Sequence, residues 1–153
     1  MKETGRSQRK RRRDCPEEAA FLDLWRTTDI LSRRLAGVLK TENLSATQYN
    51  VLRILRGAPE GLTCSEIASR MITRDPDITR LLDRLERRGM IARCREAQDR
   101  RTVLTRISPD GLLVLGRLDP SVWEAHRKQL GHLGAARLRT LAELLADCRS
   151  RVV

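Results

Sequence analysis

The chain has 153 residues, enough for one compact domain with a real core, or for a small domain plus a dimerisation arm. Its aromatic residues are Phe21, Trp25, Tyr49 and Trp123, so the core must be built from Leu, Ile, Val and Ala, which favours helices. A net charge of +11, from 31 Lys and Arg against 20 Asp and Glu, points to a polyanionic partner, nucleic acid before an anionic membrane surface.

Residues 1–13 carry Lys2, Arg6, Arg9, Lys10, Arg11, Arg12 and Arg13 against the single acid Glu3, and read as a flexible basic arm, not a secretory signal. Such an arm either touches phosphates without sequence preference or is a solvated tail. A long helix is expected from Pro16 to about Lys40, with Phe21, Leu24, Trp25, Thr28, Leu31, Leu35 and Val38 or Leu39 on one stripe. Ser45-Ala46-Thr47-Gln48 has the form of a capping box and should open a second helix that turns Tyr49, Leu52 and Leu55 inward and ends near Gly57. Thr63-Cys64-Ser65-Glu66 repeats the pattern and should open a short helix with Ile67, Ala68 and Met71 inward.

The next segment is the most informative. Asp75 can cap a helix, Pro76 suits its first position and Gly89 its end. Ile78, Leu81, Leu82 and Leu85 form an apolar stripe, while Arg80, Arg84 and Arg87 share another face. Ile91–Arg95 and Thr102–Ile107 are strand-like, joined by the polar stretch Glu96–Arg101, and add Arg93, Arg95, Arg100, Arg101 and Arg106. Ser108-Pro109-Asp110 caps a further helix in which Pro120 should mark a kink or break. A last helix is expected over about 134–149, with Leu138, Leu141, Leu144, Leu145 and Cys148 on one side.

No Ser/His/Asp set, phosphate loop or metal-ligand spacing is present, so neither an enzyme nor a cofactor or metal is expected; His126 and His132 are too far apart for a helical metal pair. Cys15, Cys64, Cys94 and Cys148 are widely spaced without CxxC, which argues against a disulfide framework. The longest apolar run, Leu112–Leu115, cannot span a bilayer, so a cytoplasmic protein is expected.

Leu44-Ser45-Ala46-Thr47-Gln48-Tyr49-Asn50-Val51-Leu52, Leu62–Ala68, Thr79–Gly89 and Asp99-Arg100-Arg101 together resemble the MarR family of bacterial transcription regulators, over roughly residues 20–150. The resemblance implies a mainly α fold with a small β-hairpin wing. Residues 1–16 would be a basic arm and 44–107 a winged helix-turn-helix, with 17–43 and 108–153 as helical dimerisation regions. It implies a homodimer on a pseudo-palindromic operator in double-stranded DNA, nucleoid-associated when bound. Repression would be relieved by a small phenolic or amphipathic effector. A redox-sensing repressor of the same fold and a non-specific architectural DNA-binding protein are the alternatives.

The residues expected at DNA are Ser65, Asp77, Thr79, Arg80 and Arg84 on the helices, and Arg100 and Arg101 on the wing, with Asp99 bracing the wing. For Arg80 and Arg84 the plainer alternative is a solvated face with Asp83 and Glu86 as local partners. Asp75-Pro76-Asp77 departs from relatives that carry Ser or Thr there. Two acids would repel phosphates unless they cap the helix or accept from a cytosine amine. Trp25, Thr28 and Met71 are candidates for a ligand pocket, although packing in a dimer core is the other role open to Trp25. Cys15 and Cys64 are the candidates for oxidant sensing, and Cys148 for the core.

Overall fold

The computed structural model describes residues 15–95 and 102–150. It divides into two compact units that meet within the first helix, between Arg34 and Leu35.

The first unit is helical from Pro16, the opening residue of helix α1 (Pro16–Leu39). Proline at the start sacrifices no helical hydrogen bond, and Glu17 and Glu18 in the first turn complement the helix dipole. Phe21, Leu22, Leu24, Trp25 and Ile30 are exposed while Leu31 is half-buried, and Phe21 and Trp25 meet edge to face with ring centroids 5.8 Å apart.

In the second unit, α1 ends at the buried Leu39. A 3-10 turn, Lys40–Glu42, follows and closes on Asn43, whose φ of 53° is left-handed. Helix α2 (Ala46–Arg56) opens with the expected capping box: the Gln48 backbone N–H donates to Ser45 Oγ at 3.1 Å and the Ser45 N–H to Gln48 Oε1 at 3.0 Å. Helix α3 (Cys64–Arg70) does the same, with Thr63 N–H donating to Glu66 Oε2 at 2.8 Å and Glu66 N–H to Thr63 Oγ1 at 3.3 Å. Helix α4 (Ile78–Arg87) ends in a Schellman turn, in which Met90 N–H donates to the Leu85 carbonyl and Gly89 N–H to that of Glu86. Gly89 sits at φ +70°, the left-handed position this turn requires.

Strands β1 (Ile91–Arg95) and β2 (Val103–Ile107) pair antiparallel, from Ile91 opposite Ile107 to Arg95 opposite Val103. Leu62, just before α3, bridges to Thr105 through reciprocal backbone bonds of 3.0 and 2.7 Å, so the hairpin is stitched to the entry of α3. Ser108 caps helix α5 (Pro109–Leu130) and donates its hydroxyl to the Gly89 carbonyl, joining the start of α5 to the end of α4. A 3-10 turn, Gly131–Leu133, leads to helix α6 (Gly134–Ser150).

One aliphatic cluster holds this unit together. Leu39, Leu52, Leu55, Ile67, Leu81, Leu82, Leu85, Leu115 and Leu118 are all fully buried, and each contributes roughly 1.5–3 kcal/mol relative to exposure. Tyr49 is the aromatic residue of this core, as Tyr49, Leu52 and Leu55 were expected to turn inward. The bidentate pair Arg56–Asp119, at 2.7 and 3.3 Å, clasps α2 to α5 across its rim.

Four expectations need correction. Asp77, not Asp75, caps α4, because the helix begins at Ile78 and Pro76 lies in the preceding turn. Pro120 does not break the chain into two helices: α5 runs through it, its ring is exposed, and a long helix packed on the core tolerates one lost backbone bond. Cys148 is exposed rather than core, since no residue of α6 is buried in the chain. Of the hairpin arginines, Arg93 and Arg106 are engaged within the chain and do not form a free cationic face.

Candidate nucleic-acid interface

Helix α4 has two sides with different chemistry. Ile78, Leu81, Leu82 and Leu85 face the core, and the 100° step between residues places Thr79, Arg80, Asp83, Arg84 and Arg87 on the opposite arc. Thr79, Arg80, Arg84 and Arg87 are exposed. Arg87 Nε donates to the Asp83 carbonyl at 3.3 Å, and Arg84 has no ion-pair partner among the described residues. Ser65 is exposed near the start of α3.

Arg80 does not stand alone. Asp77 accepts the Arg80 backbone N–H at 3.3 Å through Oδ1, capping the helix, and holds Arg80 Nε at 3.1 Å through Oδ2. The Asp77 carboxylate, expected at a DNA contact, is thus committed to the cap and to Arg80. Asp75 Oδ1 in turn accepts the Asp77 N–H at 2.9 Å, an Asx turn across the rigid Pro76. Both acids have local partners, which is one of the conditions under which they could sit beside a polyanion.

The two remaining acids of α4 are neutralised from the hairpin. Arg93 donates through Nε and Nη2 to Glu86 Oε2 at 3.0 and 2.6 Å, and through Nη2 to Asp83 Oδ1. Its backbone N–H donates to Glu86 Oε1 at 3.2 Å. Hydrogen bonds to Glu86 first, then Asp83, raise the Arg93 guanidinium above its usual range, so it stays charged. The local partners foreseen for Arg80 and Arg84 therefore belong to Arg93, and the arginine face keeps its net positive character. Arg106 lies along the other surface of the hairpin, with Nε donating to the Glu60 carbonyl at 2.9 Å and Nη1 to Cys94 Sγ at 3.2 Å.

Arg88 also escaped the sequence reading. Its two η nitrogens donate to the Asn43 and Glu42 carbonyls at 2.8 and 2.9 Å, fixing the end of α4 to the turn after α1. The signal was its place after the apolar stripe, where a cation meets free carbonyls, but its distant acceptors have no local signature. The turn between α3 and α4 is held by Asn50 Oδ1, which accepts the Ile72 N–H at 2.9 Å.

Asp99, Arg100 and Arg101 lie outside the described residues, as do residues 1–14 of the basic arm. Trp25 and Thr28 are exposed on α1, where Trp25 lines a surface depression with Leu22, Arg26 and Asp29. Met71 is half-buried against the core of the second unit. Cys64 is half-buried at the first turn of α3 and also packs against that core, while Cys15 Sγ contacts Glu17 Oε2 at 3.4 Å. Among the described residues no cluster of His, Cys, Asp and Glu could hold a metal ion, and no helix is long and apolar enough to cross a membrane.

A short capped helix, a turn, a second helix with an exposed arginine face, and a hairpin stitched back to the first make a winged helix-turn-helix. The MarR family model matches residues 44–103. The chain is 40% identical to a MarR transcription factor from Planctomyces limnophilus, a crystal structure it fits with a TM-score of 0.66 over 84% of this chain and 94% of that one. It is similar to the PcaV transcriptional regulator from Streptomyces coelicolor in complex with its natural ligand, at 26% identity and a TM-score of 0.69 over 82% of this chain and 91% of that one. It is also 26% identical to the homoprotocatechuate degradative operon repressor of Escherichia coli, over 72% of this chain and 74% of that one. The chain belongs to the MarR family of DNA-binding transcriptional regulators.

Proposed function

We propose that this protein is a repressor that binds a pseudo-palindromic operator as a homodimer and is released by a small phenolic or amphipathic effector. The observation that carries the DNA-binding half is the exposed face of Thr79, Arg80, Arg84 and Arg87 on α4, with the neighbouring acids Asp83 and Glu86 neutralised by Arg93. Such a face suits the major groove: Arg80 reads a guanine edge, Thr79 and Arg84 contact adjacent phosphate or base atoms, and Ser65 meets the backbone at the start of α3. Arg100 of the wing enters the neighbouring minor groove, Arg101 lies at the DNA beside it, and Asp99 braces the wing loop.

The homodimer is supported by apolar side chains that each unit leaves in solvent: Phe21, Leu24 and Trp25 on α1, and Leu112, Leu113, Trp123 and Leu144 on α5 and α6. Residues 17–43 and 108–153 are accordingly the dimerisation regions in this reading. The effector half is supported by the likeness to a regulator solved with its natural ligand, and Trp25, Thr28 and Met71 are its candidate contacts.

The test is selection of bound duplexes from a random library by the full chain, followed by footprinting and measurement of the complex mass. A single two-fold site bound by two chains is expected. Weak, uniform protection would instead favour an architectural DNA-binding protein.

A further inference from the structure

We infer that Asp77 is a positioning residue that aims Arg80 at its base, and so sets sequence preference without itself touching DNA. This rests on the reading of Arg80 as a base-reading residue.

Three linked contacts carry it. The Asx turn from Asp75 fixes the Asp77 backbone at 2.9 Å. Asp77 Oδ1 caps α4 by accepting the Arg80 N–H at 3.3 Å, and Oδ2 takes Arg80 Nε at 3.1 Å. One carboxylate therefore accepts the Arg80 backbone N–H and forms an ion pair with the head of the Arg80 side chain. The ion-pair contact is made at Nε, and neither Nη1 nor Nη2 has a partner among the described residues. Two parallel donors on one planar edge are what bidentate recognition of guanine O6 and N7 requires.

The pair is not there for fold stability. The Arg80 side chain is 79% exposed and that of Asp77 46%, and exposed ion pairs at this spacing contribute little in water. Their consequence is conformational. An arginine loses much rotamer freedom when it is fixed at an interface, and a partner that already restrains it reduces that loss. When DNA displaces water from the pair, the attraction between carboxylate and guanidinium strengthens in the drier surroundings. The same carboxylate repels phosphate, so Asp77 lowers affinity for arbitrary DNA while sharpening choice at one base.

The experiment compares the full chain with Asp77→Ser, Asp77→Asn and Arg80→Ala. The probes are a duplex selected by the wild-type protein, a set of its single-base variants, and a scrambled duplex. Serine and asparagine both cap helices well, so α4 should keep its thermal unfolding profile. Serine cannot reach Arg80 Nε, whereas asparagine keeps an acceptor without the charge.

A bidentate guanine contact gives roughly tenfold or greater discrimination against a wrong base. Asp77→Ser should cut this at least about threefold at the single position that Arg80→Ala also flattens, while scrambled-duplex affinity rises. Asp77→Asn should fall between, and it carries the test if the serine protein does not fold. Wild-type preference at that position in both Asp77 variants overturns the inference, as does an equal loss on all duplexes, which would mean a cap and nothing more. If Arg80→Ala leaves every preference intact, it is the base-reading role of Arg80 that fails.

Discussion

Arg93 and Glu86 are joined three times: the Arg93 backbone N–H meets Glu86 Oε1 at 3.2 Å, and Nε and Nη2 meet Oε2 at 3.0 and 2.6 Å. The hairpin is thus anchored to α4 by the same residue that cancels that helix's acids. Arg93→Ala should lower stability by about 1–2 kcal/mol, because it strips hydrogen bonds from two half-exposed carboxylates. It should also weaken binding to operator and scrambled duplexes alike. Adding Asp83→Asn and Glu86→Gln to the Arg93→Ala protein should recover much of the binding. Unchanged affinity on titration of the single variant would contradict the neutralising role.

Glu42 gives a dependence on acid. Its hydrogen bonds from Arg117, at 2.7 and 2.9 Å, hold its carboxyl below the usual value near 4.5. Around that pH the unfolded chain binds more protons at this site than the folded one. The contribution is therefore full above about pH 4.5 and is lost as pH falls through the lower folded value. Glu42→Gln should flatten the acid limb of a stability–pH curve measured by urea unfolding between about pH 3 and 7. An unchanged limb would mean the pair survives equally in the unfolded chain.

Two glycines of α5 should respond in opposite directions. A Cβ on Gly111 would lie 2.3 Å from the Met90 carbonyl oxygen and 2.8 Å from Ile107 Cγ1, so Gly111→Ala must push α5 off the hairpin, at about 1–3 kcal/mol. Gly116 is exposed with nothing within 4 Å of a Cβ, and Gly116→Ala should raise stability by roughly 0.5–1 kcal/mol through helix propensity. Thermal melts of the two proteins should bracket the wild type.

The seven cations of residues 1–13 should add an electrostatic term with no base preference. Deleting them should flatten the fall of log affinity with log salt by roughly 0.9 per lost phosphate contact and leave the selected sequence unchanged. A different selected sequence would mean the segment reads a groove.

The features legible in the sequence were those encoded within a few residues. Ser45 with Gln48, Thr63 with Glu66, and Ser108 each announce a helix start through a bond that spans three positions. Asp75 and Asp77 flank one proline, so both fit a cap, and only the onset of helical backbone at Ile78 chooses between them. The D-x-x-R spacing of Asp77 and Arg80 was visible, but its meaning depended on that choice. Arg93 was legible as a strand cation, yet alternation does not say which surface of the hairpin lies against α4. The apolar stripe of α6 was also readable, and no residue of that helix is buried.

Glu42 serves two masters. Its backbone oxygen, with that of Asn43, receives Arg88 from the end of α4, and its carboxylate receives Arg117 from the middle of α5. The turn after α1 is therefore a common hub for both helices. For α5 to slide past the end of α4, one side of this hub must let go. The end of α4 and the middle of α5 are thus tied to one short turn by four hydrogen bonds outside the leucine core.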